Sequence, residues 1–232
     1  MKAGIVVLIA LLSTEDAHAL RRDSQCRGLN PRPEQTTQLE CPPSWFFKPL
    51  WTSSDWATYI CGGNRLVRLS DPSQQIQIPG SIDPVPTPDD RFMTTPGPLA
   101  FYPMSQLTSG GSNRTTVAPI YSDPDLPGVY QSIGQMSGDG GEPRYRVITE
   151  RPAGATGSQI VMRDYQSSGG GTAIAPVQSA PVALCPGKRL KLPMMSKNGR
   201  ELAALDLETG TTKLYSVGED GSCSQLVDLG IP

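Results

Sequence analysis

The chain is nearly devoid of histidine. Its single copy, His18, lies in a stretch that reads as a removable leader, so the exported protein would carry no imidazole. That excludes Ser-His-Asp and Cys-His nucleophilic sites, histidine proton shuttles and His-ligated zinc. No two cysteines are spaced C-x-x-C, which removes zinc knuckles and thioredoxin-type redox motifs. A G-x-S-x-G elbow, a P-loop and a G-x-G-x-x-G in strand-to-helix context are likewise missing. Apolar runs long enough to cross a bilayer are also absent, because Ala3 to Leu12 falls well short of the roughly 20 residues required. Charge of one sign is scarce: 20 basic against 22 acidic residues offer no electrostatic reason to expect nucleic acid or an anionic membrane as partner.

What is present at the amino terminus is a secretory pattern. Met1 and Lys2 precede the apolar run, and Ala17-His18-Ala19 supplies a small-x-small cleavage site. The expected partition is a signal peptide over 1–19, an extended proline-spaced lead-in over 20–43 and a folded region over 44–232. The mature chain would begin at Leu20, with no cysteine there for a lipid anchor, and would be periplasmic or extracellular without a transmembrane segment.

Five cysteines behind a leader imply structural disulfides rather than metal. The preferred pairs are Cys26 with Cys41 and Cys185 with Cys223, each joining segments near in sequence. Other pairings, such as Cys61 with Cys185, stay open. On the preferred pairing Cys61 is either a buried thiol or bonded to residues outside this chain.

Gly and Pro number 24 and 23 of 232 residues, which predicts many turns. No window of helical length shows a 3.6-residue stripe, whereas short β-prone runs bounded by Gly, Pro, Asn or Asp recur. Strands are expected over 56–61, 65–69, 75–78, 91–95, 117–121, 129–133, 145–150, 159–164, 202–207, 211–217 and 224–229. The segments 108–116 and 167–181 are low in complexity and read as surface loops. The class is all-β.

One turn recurs: Ser or Thr, any residue, then Asp or Asn. It occurs at Ser53-Ser54-Asp55, Thr87-Pro88-Asp89, Ser137-Gly138-Asp139 and Ser196-Lys197-Asn198, with starts 34, 50 and 59 residues apart. Chance places roughly three such triplets in a chain of this composition, and Thr14-Glu15-Asp16 and Ser81-Ile82-Asp83 match outside the series. The last copy carries more information. Leu190 to Met195 enters the Asn198-Gly199 turn, a two-residue hairpin signal. Leu202 to Leu207, Thr211 to Val217 and Ser224 to Leu229 then follow, separated by Gly210 and Asp220-Gly221. This is a four-stranded meander of the kind that builds propeller blades.

The run Pro193-Met194-Met195-Ser196-Lys197-Asn198-Gly199-Arg200-Glu201-Leu202-Ala203 resembles the P-x-[FW]-S-P-D-G-[KR]-x-[LI]-A blade signature of TolB-like β-propellers, and Lys213 to Val217 is similar to its later L-Y-x-[VM] strand. Lys197 and Asn198 stand where Pro and Asp are usual. Ser196, Asn198 and Gly199 are the blade-turn residues on this reading. The resemblance implies an exported bacterial β-propeller of four-stranded antiparallel blades, about four of which are visible. The ring is expected to be incomplete, as a piece of a longer protein or a chain closed by a partner.

Trp45, Trp51 and Trp56, with Phe46 and Phe47, form an aromatic cluster that either fills space between blades or offers a binding surface; the filling role is preferred. Asp123-Pro124-Asp125 starts like a calcium loop, but Gly134 and Pro127 occupy later ligand positions, so no metal is expected. Asp89-Asp90 is explained by the repeated turn. No cofactor and no catalytic residue are assigned. The resulting expectation is a non-catalytic scaffold or binding module for a protein or cell-envelope ligand. The second reading is the propeller portion of a secreted hydrolase or lyase whose catalytic residues lie beyond Pro232.

Overall fold

Because Gly, Pro, Asn and Asp interrupt the β-prone runs every few residues, the chain doubles back repeatedly and pairs each strand with its neighbour in sequence. The computed structural model describes residues 5–8, 36–39, 47–52, 55–61, 64–71, 73–78, 84–108, 117–126, 130–153 and 157–231. A short antiparallel pair comes first, β1 (Ile5–Leu8) with β2 (Thr36–Leu39). Its first strand lies in the expected leader and its second in the lead-in read as strandless. The sequence Thr-Thr-Gln-Leu between Pro33 and Pro42 carries the β-branched residues that permit it.

Four antiparallel meanders follow. The first contains β3 (Phe47–Thr52), β4 (Trp56–Cys61), β5 (Asn64–Arg68) and β6 (Gln75–Ile78). The second contains β7 (Val85–Pro86), β8 (Phe92–Thr95), β9 (Leu99–Pro103) and β10 (Tyr121–Asp123), with the short helix α1 (Met104–Thr108) between its last two strands. The third contains β11 (Tyr130–Ser137), β12 (Pro143–Ala153), β13 (Gly157–Ser168) and β14 (Ala173–Pro176), and β15 (Val182–Ala183) adds to β13. The fourth contains β16 (Leu190–Met195), β17 (Glu201–Asp206), β18 (Thr211–Val217) and β19 (Cys223–Asp228). The first strands of successive meanders lie side by side, β3 with β7, β7 with β11 and β11 with β16. Sheets stacked face to face with their first strands innermost are the blades of a β-propeller, and the described residues hold four.

The second, third and fourth Ser/Thr-x-Asp/Asn turns join the first strand of a blade to its second, and Ser53 and Ser54 of the first copy lie outside the described residues. Several expected strands shift. Residues 117–120 stay outside the sheet because Pro119 has no N–H to donate, and pairing begins at Tyr121. The segment 167–181 is not one loop: Ala173–Pro176 pairs with β13 as an edge strand. Residues 109–116, most of the other low-complexity stretch, lie outside the described residues. Strand β3 was unforeseen; it carries Pro49, which an edge strand tolerates.

The core comprises three layers between blades. Trp56, Leu66 and Ile78 of the first blade pack on Met93, Met104 and Leu107. Phe92 and Phe101 of the second meet Tyr145, Val147 and Tyr165 of the third, with Phe92 edge-on to Tyr145 at 5.7 Å. Ile148 and Met162 of the third meet Leu202, Ala204 and Tyr215 of the fourth. Strand β12 thus buries both faces, which is why its sequence does not alternate.

That layer also holds a buried ion pair. Arg146, 1% exposed, donates from Nε to Asp164 Oδ1 at 2.9 Å and from Nη2 to Oδ2 at 3.0 Å, and its Nη1 reaches the Gly199 carbonyl of the fourth blade at 3.2 Å. The two backbones approach closely here. A Cβ at Gly134 would land on the Gly199 backbone, and Gly199 itself has φ 69°.

Two outcomes are expected. Gly134→Ala should wedge the third and fourth blades apart and lower stability by about 1–3 kcal/mol, read as a lower urea midpoint. Arg146→Ala, which leaves Asp164 paired with Arg144 alone and the Gly199 carbonyl without its donor, should cost about 1–3 kcal/mol by the same measurement.

Candidate functional site

In the second and fourth blades the repeated turn is built by hydrogen bonds that its residue types dictate. In the second blade the Thr87 hydroxyl donates to Asp89 Oδ1 at 2.8 Å, Arg91 N–H donates to the same oxygen at 3.3 Å, and Phe92 N–H donates to Thr87 Oγ1 at 3.0 Å. The fourth blade repeats these contacts: Ser196 to Asn198 Oδ1 at 2.6 Å, Arg200 N–H to Asn198 Oδ1 at 3.0 Å and Glu201 N–H to Ser196 Oγ at 3.0 Å. A short side chain with a hydroxyl, followed two residues later by a carboxylate or amide, closes the turn locally. The residue between them projects outward.

The turns of the second, third and fourth blades surround a cleft of about 700 Å³. Asp89 and Arg91 come from one side, Gln135 and Glu142 from the middle, and Lys197 and Asn198 from the other. The turns are linked across blades. Tyr145 donates its hydroxyl to Asp89 Oδ2 at 2.7 Å, Arg91 Nη1 donates to Glu142 Oε2 at 2.7 Å, and Gln135 N–H donates to the Lys197 carbonyl at 2.7 Å. Glu142 Oε1 also accepts from Gly170 N–H at 3.0 Å.

Both carboxylates of the cleft are therefore engaged. The Arg91 guanidinium holds the Glu142 carboxyl below its ordinary range, keeping it ionised and a poor proton acceptor at neutral pH. Burial, reinforced by the bond to Asp89, pushes the Tyr145 hydroxyl well up, so it stays a donor. By contrast, Lys197 Nζ, the Gln135 amide and the Asn198 amide nitrogen meet no partner among the described residues. The cleft presents open donors beside engaged acids, an arrangement that can hold carbonyl or carboxylate groups. Among the described residues no cluster of His, Cys, Asp and Glu could hold a metal ion.

Of the residues singled out in the sequence, Ser196 and Gly199 build the turn, while Asn198 lines the cleft together with Asp89 and Ser137 of the other two turns. Gly199 is buried, its carbonyl taken by Arg146. Trp56 is not a binding surface. It is 7% exposed, packed between the first two blades, with the Arg68 guanidinium 5.9 Å from its ring centroid. The side chains of Trp45 and Trp51 lie outside the described residues, as do Cys26 and Cys41. A disulfide joins Cys185 to Cys223, 38 residues apart, tying the connector before the fourth blade to its outermost strand. Gln135, Glu142 and Arg91 were missed because their only signal is proximity to a neighbouring blade's turn. Lys197 was visible as the variable residue of the repeat.

The chain matches no protein-family model and no curated protein. Among solved structures it is similar to one assigned as TolB from Agrobacterium tumefaciens, at 18% identity and TM-score 0.44 over 84% of this chain and 66% of that one. A structure assigned as a 6-phosphogluconolactonase from Bacteroides fragilis gives 8% identity and TM-score 0.41 over 88% and 58%. The periplasmic gluconolactonase PpgL of Pseudomonas aeruginosa gives 10% and 0.33 over 81% and 67%. The chain spans less than two thirds of the first two, and likeness at this level carries no conclusion about activity.

Acid should weaken both the Arg91–Glu142 link at the cleft and the Lys213–Asp206 pair inside the fourth blade. The folded values of Glu142 and Asp206 lie below their ordinary 4.5 and 3.8, the first through Arg91 and the second through the Lys213 ammonium. Their contribution is complete above those ordinary values and is lost as pH falls through the lower folded ones. Urea midpoints measured downward from pH 6 should fall below about pH 4.5, and Glu142→Gln should show a shallower fall than wild type.

Proposed function

We propose that the chain is an exported, non-catalytic β-propeller module of the TolB-like kind that holds a protein or cell-envelope ligand in the cleft between its blade turns. One observation carries this reading: three blades converge on a cleft whose acids are tied in ion pairs while Lys197, Gln135 and Asn198 hold out unengaged donors. Such a surface recognises acceptor groups, the carbonyls and carboxylates that an extended peptide displays. The leader pattern, the Cys185–Cys223 disulfide and the blade signature around Asn198 support export and the TolB-like kind. Among the described residues no helix is long and apolar enough to cross a membrane.

The test is affinity capture from envelope extracts of the source cells, comparing wild type with Lys197→Glu, whose exposed position leaves the fold intact. Wild type should retain a partner and the variant should retain about tenfold less, equal to about 1.4 kcal/mol of binding. Equal retention by both, or nothing above background with wild type, would overturn the reading.

A further inference from the structure

Strand register places the fourth blade's side chains on two unlike faces. Leu202, Ala204, Tyr215 and Val217 point to the third blade. On the opposite face Met194, Ala203, Leu214 and Val227 stand at matching positions of the four strands and form one apolar row across the blade. Met194 is 51% and Val227 41% exposed, and seven of the eight large exposed hydrophobic residues among those described lie at or beyond Leu192. At the inner margin a bulge between Lys191 and Met194 holds Leu192 at φ 52°, 57% exposed. The Leu192 N–H reaches Glu150 Oε2 of the third blade at 3.4 Å, so the bulge ties β16 to its neighbour and leaves the Leu192 side chain in solvent beside the apolar row.

The rows that flank the apolar one carry opposite charges. On one side Lys191 pairs in register with Leu205 and then Thr212; on the other Glu201 pairs with Ser216 and then Ser224. Lys191 is exposed and Glu201 partly so, and neither side chain meets a partner among the described residues. A half-turn about an axis lying in this face, along Met194, Ala203, Leu214 and Val227, sets the apolar row on its own copy and exchanges the flanking rows. Lys191 then lies one strand away, about 4.8 Å laterally, from Glu201 of the second copy, and the converse pair forms on the other side. The pattern is self-complementary, as a two-fold interface requires.

We infer that two copies of this chain dimerise face to face through their fourth blades, with the apolar row on the two-fold axis and reciprocal Lys191–Glu201 pairs flanking it. The inference does not depend on the cleft, which lies at the blade turns rather than on this face. Four strands of about six residues give a face of roughly 19 by 20 Å, less than a stable dimer buries, so the association is a weak one that depends on concentration.

Sedimentation of the full chain from about 1 to 100 µM tests it. Wild type should pass from monomer to dimer across that range. Lys191→Glu and Glu201→Lys should each weaken association about tenfold or more, and the double reversal should restore it to near wild type. Carbodiimide treatment of mixed light and heavy-isotope protein should join Lys191 of one copy to Glu201 of another. A monomer at the highest concentration, single reversals without effect, or a double reversal no tighter than the singles would each overturn the inference; a monomer would point instead to a different protein on this face.

Discussion

The Arg146 guanidinium sits between the third and fourth blades, out of water, bound bidentately to Asp164 on its own sheet and to a turn carbonyl on the next. A charge in that position is tolerable only while both partners stay in place. It consequently fixes the distance and register between the two blades that contribute Gln135, Glu142, Lys197 and Asn198 to the cleft. Gly134 and Gly199 permit the arrangement by letting the backbones approach, so the polar link and the small residues form one device.

Similar links recur elsewhere as trios of tyrosine, aspartate and cation. Tyr165 and Arg163 of the third blade both donate to Asp123 of the second, at 2.5 and 2.8 Å. Tyr145 and Arg91 both approach Asp89. Within the fourth blade Lys213 and Tyr215 share Asp206, at 2.8 and 3.3 Å, and burial with the nearby carboxylate pushes the Tyr215 hydroxyl up to about 12. Each trio lets an aspartate be shielded from water while charged, because two donors replace its hydration. Apolar layers hold the blades together, the Asp123 and Asp89 trios link one blade to the next, and the Asp206 trio joins two strands of the fourth.

This architecture separates two surfaces. The turn end offers a polar cleft whose acids are already neutralised, and the outward face of the fourth blade offers an apolar row between opposite charges. Neither needs a moving part, since hairpin turns and strand register place every side chain involved.

Strand periodicity, the turn triplets and the full fourth-blade signature are local properties, which is why 190–195 and 211–217 emerge as strands with their observed limits; the Cys185–Cys223 pairing was one preference among several until the fold brought the two sulfurs together. The second and third blades were harder to read. Val85–Pro86 is too short to show alternation, and β12 buries both faces and hides its period. The cleft was not legible at all, because Arg91 and Glu142 are 51 residues apart and meet only when blades stack. The sequence by itself determined that this is an all-β chain of tight antiparallel turns with no imidazole chemistry beyond His18. Only the tertiary structure decided which turn residues face one another and which blade face carries the exposed apolar row, since both follow from how the sheets are packed, and packing depends on contacts between residues far apart in the chain.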